Sequence, residues 1–383
     1  MALHFSLDEY NQRIRKILNK MSEKNLDCLL MFSQESMYYL TGYDTFGFCF
    51  FQCLILNGDG RLVLLTRAPD LRQAQHTSII DDIRIWVDRN GVKPTNDLKA
   101  ILEEFGSQGK SIGVEYDSYG LNAHNGFAVA ESLSGYCRAT DASVLIKEVR
   151  TVKSEQEIAY VKKAATLADK ALIAAEQNIY HGAYEGNILA ALQGEVYRGG
   201  GESPGNENII GSGDDALLCR SKSGRRHLDE TDQITLEFAG VYHRYHAAMM
   251  RTICVGKANP EHQRMHAVAV EALKNCRERI TPGNTMGDVF QAYADTCDKA
   301  GMKDHRLNAT GYSLGAMFAP TWMDYPMFYK DNPYPIEARM TLFTHIILMN
   351  SESKTAMCLG ETFLVTNSGN ERLSNASNDL VVK

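Results

Sequence analysis

The sequence has no Cys-x-x-Cys pair, no lysine- or arginine-rich run and no apolar stretch long enough to cross a membrane. It also has no P-loop and no glycine-rich phosphate loop, which disfavours phosphoryl transfer. The basic pairs Arg225-Arg226 and Lys162-Lys163 stand alone on a background of net charge −7, so nucleic acid and anionic membranes are poor partners. Nine cysteines are scattered through the chain, several inside apolar runs such as LDCLLMF and FFQCLIL. They read as reduced, mostly buried thiols of a cytoplasmic protein. The opening MALHFSLDEYNQRIRKIL is amphipathic and charged, unlike a signal peptide. No internal repeat or low-complexity tract interrupts the 383 residues.

That length suits two domains, either large enough to bury a core without disulfide or metal staples. Residues 1–150 alternate helix and strand patterns. Tyr10, Ile14, Ile17, Leu18 and Met21 recur at helical spacing over 7–24, a stripe expected to pack on a sheet. LDCLLMF, CLILN, RLVLLT and SIGVEYD read as strands, with a turn at the Asn-Gly-Asp-Gly of 57–60. The fold class expected here is an α/β N-terminal domain. The texture changes near residue 150. Ser154 with Glu157 predicts a capping box opening a helix that runs to about Asn178, and further helices are expected at 184–198, 261–279 and 286–300. Strand-like runs QITLEFAGVYHRY, MMRTICVG, MTLFTHIILM and TFLVT lie between and after them. Residues 151–383 therefore read as an α+β domain, helices on one side of a mostly antiparallel sheet.

Chemistry concentrates in this second part. Glu237 sits inside ITLEFAG, where a carboxylate is costly unless it has a partner or a function. In YHRYHAAMMRT, strand alternation would put Tyr242, Arg244 and His246 on one face and His243 and Tyr245 on the other. His246 beside a buried glutamate is a general acid/base candidate, weighed evenly against a satisfied core histidine. TGYSLG at 310–315 reads as a glycine-flanked turn presenting Tyr312 and Ser313. The stretch 211–228 reads as a polar, flexible loop with Arg220, Lys222, Arg225 and Arg226, any of which is either a solvated charge or a clamp for a substrate carboxylate. His345 interrupts the apolar MTLFTHIILM, and Glu361 opens ETFLVT.

Taken in order, several segments resemble the pita-bread peptidase family. LDCLLMFSQESMYYLTGYDT is similar to its N-terminal-domain signature, and VRTVKSEQEIAYVKKAA to the helix that opens its catalytic domain. TLEFAGVYHRYHAAMMRT, ATGYSLG and CLGETFLVT resemble its active-site strands and turns. The resemblance implies a creatinase-like N-terminal domain (1–150) that dimerises and covers the partner's site, and a pita-bread catalytic domain (151–383). Family peptidases hold two metal ions on an Asp, Asp, His, Glu, Glu set, whose positions read Glu237, Ala248, Tyr312, His345 and Gly360, with Glu361 adjacent. Two of these offer no side-chain donor, so no two-metal site is expected; a single ion on Glu237, His345 and Glu361 is the remaining metal arrangement.

Loss of the metal set resembles the creatinase and ectoine-hydrolase branch, whose members hydrolyse small amide-like or amidino C–N bonds without a cofactor. That resemblance implies Glu237 as nucleophile or base, His246 as proton shuttle and Glu361 as a third catalytic group. Tyr312 and Glu361 would hold the substrate's nitrogens, and His345, Arg220 and Tyr245 would join the binding set. The expectation is a metal-independent hydrolase of a small zwitterion, acting as a homodimer. Alternatives are a lyase on the same pocket and a pseudoenzyme that binds a peptide or protein. A metallopeptidase ranks last.

Overall fold

The computed structural model describes residues 3–220 and 223–383, and the chain divides into two compact units, Met1–Arg150 and Thr151–Lys383. In the first unit α1 (Leu7–Glu23) starts at Ser6, whose side chain accepts the Glu9 N–H. It buries Tyr10, Ile17 and Met21 as its spacing predicted, and also Arg13, whose guanidinium donates to the Tyr39 carbonyl and to Glu9. A six-stranded sheet follows: β1 (Cys28–Met31), β2 (Cys53–Asn57), β3 (Leu62–Arg67), β4 (Asp82–Trp86), β5 (Ser111–Val114) and β6 (Arg138–Asp141), in the order β4-β3-β2-β1-β5-β6. Helices α2 (Gln34–Thr41), α3 (Leu71–Thr77), α4 (Pro94–Glu104) and α5 (Ala123–Leu133) connect the strands. SIGVEYD stops being a strand at Val114 because the buried Glu115 turns aside. Its carboxyl accepts the Phe32 and Ser33 N–H groups and the Ser36 hydroxyl at the start of α2.

Helix α6 (Leu145–Thr151) ends at the boundary between the units. The second unit opens with α7 (Glu155–Gln177), which carries both reciprocal bonds of the Ser154/Glu157 capping box. α8 (Glu185–Arg198), α9 (Pro260–Arg279) and α10 (Met286–Lys299) follow. The nine-stranded sheet comprises β7 (Ile209–Ser212), β8 (Asp232–Tyr242), β9 (Tyr245–Val255), β10 (Ala309–Ser313), β11 (Asp324–Tyr329), β12 (Thr341–Asn350), β13 (Thr355–Thr366), β14 (Gly369–Arg372) and β15 (Val381–Val382). Its main path is β11-β10-β12-β13-β9-β8-β7, antiparallel throughout; only β15 pairs in parallel, with β9.

Helices cover one face of this sheet. Ile234, Leu236, Phe238 and Met249 pack there with α7 and α8, while Leu342, Ile346, Leu359 and Phe363 pack with α9 and α10. The opposite face carries a separate apolar cluster of Ala239, Val241, Ala248, Met250, Leu314, Trp322, Phe343 and Ile347. Both faces of the central strands are therefore buried, which is why their sequences read as near-continuous apolar runs. No described helix is long and apolar enough to cross a membrane.

Candidate active site

Strand register decides which polar side chains meet. On the helix-free face, cross-strand partners run from Ile209 through Glu237, Met250 and Gly360 to His345, one residue from each of β7, β8, β9, β13 and β12. Tyr312 on β10 pairs with Phe343, two residues from His345, and so joins the same face. The His345 ring lies 5.9 Å from that of Tyr312 and 5.6 Å from that of Phe343. Backbones at Glu237 and His345 are three strand spacings apart, roughly 14 Å. A small molecule spans that separation; a direct hydrogen bond does not.

Glu237 remains partly accessible, yet burial pushes its carboxyl up to about 7, opposed by the positive charge of Arg220. Glu237 is thus a largely buried acid with limited access, as its apolar neighbours implied, raised toward neutrality. Arg220 is exposed, and its guanidinium charge also bears on Tyr312 and His345, so the loop after β7 brings one cation to the site. Lys222 lies outside the described residues. Arg226 is committed elsewhere, bonded to Ser212, Asp229 and Asp232. Two thiols adjoin Glu237: Cys219, half-buried, and Cys358, buried, each held up by burial and by the glutamate's negative charge.

Tyr312 stands on a strand, not on the turn expected from TGYSLG. Gly311 permits this: at φ +142° a Cβ would lie 2.0 Å from the Phe343 carbonyl oxygen, so only glycine lets β10 approach β12 so closely. Ser313 points to the other face, toward Thr341 and the buried Lys153. The Tyr312 phenol accepts the indole N–H of Trp322 at 2.8 Å and is raised well above its usual value, first by burial and then by Glu237.

Two expected site residues, Tyr245 and Glu361, fall elsewhere, and a third, His246, is held by backbone. His243 and Arg244 are not in a strand; both have positive φ and form a two-residue hairpin turn, so Tyr242 pairs with Tyr245 and the alternation restarts. Tyr245 consequently faces the helices, where its hydroxyl donates to Glu157 at 2.7 Å. Glu361 is displaced by the period of two: Gly360 faces Met250 on the site side, and the next residue must face away. There Glu361 is fully buried and paired with Arg251 and Arg372. His246 does share the face of Glu237, but both ring nitrogens are taken by backbone. Nε2 accepts the Gly205 N–H at 2.9 Å, and Nδ1 lies 3.4 Å from the Gly315 carbonyl. It is a neutral, positioning histidine with no proton to pass on.

His345 differs. It is nine-tenths buried, its Nδ1 has no hydrogen-bond partner among the described residues, and it belongs to the row that contains Glu237. Burial draws both histidines down to about 4. The folded state therefore resists their protonation: stability is complete above the ordinary histidine value of 6.5 and declines as pH falls from there toward 4. Melting temperature should drop over that window, and His345→Asn should flatten the slope; an unchanged slope would show that His345 does not titrate with unfolding.

The residues present do not fit the two-metal centre of pita-bread peptidases. Ala248 and Gly360 supply no donor, and a Cβ at 360 would meet Phe343 ring carbons at 2.7 and 2.9 Å, so the aromatic ring occupies that space. The single-ion set of Glu237, His345 and Glu361 also fails, because Glu361 is on the other face. Among the described residues, no three His, Cys, Asp or Glu side chains converge in a way that holds a metal ion. Sequence reasoning missed Trp322 and Phe343, the aromatics that shape the site. That Trp322 is one of only two tryptophans was the available signal.

The chain belongs to metallopeptidase family M24, which it matches over residues 159–367, and it carries a creatinase/prolidase N-terminal domain over residues 13–152. It is 28% identical over 404 aligned residues to ectoine hydrolase from Halomonas elongata, covering 100% of this chain and 99% of the relative. Xaa-Pro dipeptidase from Pyrococcus furiosus is 22% identical, over 79% of this chain and 82% of that one. The fold matches crystalline prolidase from Thermococcus sibiricus with a TM-score of 0.89 at 19% identity, covering 99% and 100% of the two chains. The relatives support a hydrolase, and the architecture is a creatinase N-domain followed by a pita-bread domain.

Proposed function

We propose that this protein is a metal-independent hydrolase of a C–N bond in a small zwitterionic metabolite, working as a cytoplasmic homodimer. The observation that carries the reading is the row across the sheet: one carboxyl near neutrality, Glu237, with hydrophobic or donorless residues at the flanking ligand positions. The full-length similarity to ectoine hydrolase supports a non-peptide substrate. In this scheme Glu237 removes a proton from the attacking water, the hydroxide adds to the electrophilic carbon, and the C–N bond breaks as Glu237 returns that proton to the departing amine; if Glu237 itself attacks, water then cleaves the acyl–Glu237 bond, freeing the carboxylate and supplying the amine's proton. A carboxyl near pH 7 both accepts and returns a proton, so His246 is not needed as the shuttle. Tyr312 and His345 orient the substrate by hydrogen bonds, and Arg220 receives its carboxylate.

Chelation tests the reading directly. Enzyme stripped with EDTA and phenanthroline should keep its full rate on a cyclic amidine or amide carboxylate and show no activity on dipeptides. Stoichiometric zinc, manganese or iron whose removal abolishes turnover would overturn it. Light scattering on the same stripped sample should give twice the chain mass, and a monomer would remove the dimer from the scheme.

A further inference from the structure

The hydroxyl of Tyr312 is not free to choose its hydrogen-bond role. An indole N–H only donates, and Trp322 Nε1 spends that donation on the Tyr312 oxygen at 2.8 Å. A phenolic oxygen has one good in-plane lone pair, so once the indole holds it, the remaining function of the hydroxyl is to donate its own proton. Trp322 cannot easily withdraw. It is wholly buried, and its backbone N–H donates to the Asn206 side chain at 3.1 Å. Gly205 packs so tightly on this segment that a Cβ would lie 2.7 Å from the Thr321 carbonyl oxygen and 3.0 Å from the Trp322 nitrogen. The Gly205 N–H is in turn fixed by His246 Nε2, and the same ring spans to the Gly315 carbonyl. His246, Gly205, Asn206, Trp322 and Tyr312 thus form one chain of contacts that ends at a hydroxyl on the face of Glu237.

We infer that this clamp makes Tyr312 an obligatory donor, so that the substrate presents a hydrogen-bond acceptor there. The inference rests on the C–N hydrolase reading and narrows its substrate class to an amide or lactam carboxylate. A carbonyl oxygen accepts the phenol proton. An amidinium or guanidinium has only donors and would face the phenol proton head-on, leaving donors unpaired beside a buried hydroxyl. The sequence-level role for Tyr312, holding cationic nitrogens, is therefore reversed. Trp322 and His246 are positioning residues; Tyr312 touches substrate.

Binding measured by calorimetry separates the possibilities, with three probes that share a carboxylate: pyroglutamate (a lactam), ectoine (a cyclic amidine) and creatine (a guanidine). Wild type should prefer pyroglutamate to ectoine and creatine by about tenfold or more, the scale of a mismatched buried hydrogen bond. Trp322→Phe keeps a ring but removes the indole donor, so the phenol can turn and the preference should fall at least threefold. Tyr312→Phe should abolish it, and this variant decides the matter if Trp322→Phe fails to fold. Tighter binding of ectoine or creatine by wild type, or a preference unaltered in Tyr312→Phe, overturns the inference and leaves the hydrolase reading standing. Failure of all three probes to bind overturns both.

Discussion

Glu237→Gln should lower turnover by roughly a thousandfold or more, because the amide neither attacks nor accepts a proton. The same substitution should make the protein more stable above pH 7. Burial raises the folded-state value of Glu237 from 4.5 to about 7, so the native protein favours the protonated form. Its contribution to stability is complete below 4.5 and is lost as pH rises through 7, which at high pH costs on the order of 1–3 kcal/mol. Glutamine, always neutral, escapes that cost. Denaturant melts at pH 8 and pH 4.5 should therefore show a stabilised variant at the first and an unchanged one at the second. A glutamate kept for structure would give the opposite pattern, a destabilised variant with residual activity. Full turnover in Glu237→Gln would end its assignment as the reacting group. Proteins commonly tolerate such local instability where function requires it.

Glu361→Ala should act on folding rather than on chemistry. Its carboxylate is fully buried between Arg251 and Arg372, and Arg251 is itself buried, bonded also to the Met250 and Gly360 carbonyls. Removing the acid strands a desolvated guanidinium, at a cost of about 3–5 kcal/mol. For a unit of this size that corresponds to a melting temperature lower by roughly 10 °C. Arg251 touches the backbone of Met250 and Gly360, so some loss of rate should follow from displaced strands, recoverable on cooling. A variant that melts normally but has no activity would return Glu361 to the catalytic set.

These two glutamates show how far one chain of letters reaches. Both sit in apolar strands and both invite a functional reading. Glu237 faces the site and Glu361 the helices, and the difference is one residue of register. Side-chain direction in a sheet has a period of two, so an alignment that places Glu361 one position from a ligand site places it on the wrong face. The same limit explains Tyr245. Reading YHRYHAAMMRT as continuous strand assigned its faces wrongly, because His243 and Arg244 take positive φ and turn the chain. Residues other than glycine rarely do so; histidine is one of the commoner exceptions, a signal too weak to mark the turn.

Local, short-range rules determined much of this protein before any coordinates. Hydrophobic periodicity located α1, and the Ser154/Glu157 pair marked the start of α7. The apolar runs located β2, β8, β12 and β13. Each of these depends on neighbours within a turn or two of chain, where spacing alone dictates contact. What only the tertiary structure decided are the relations between distant segments: the row linking Glu237 to His345 across four strands, the Phe343 ring over Gly360, and the Trp322 indole that commits Tyr312 to donate. Such contacts join residues from ten to more than a hundred positions apart. Register, strand order and close packing set them, and none of these leaves a local mark in the sequence.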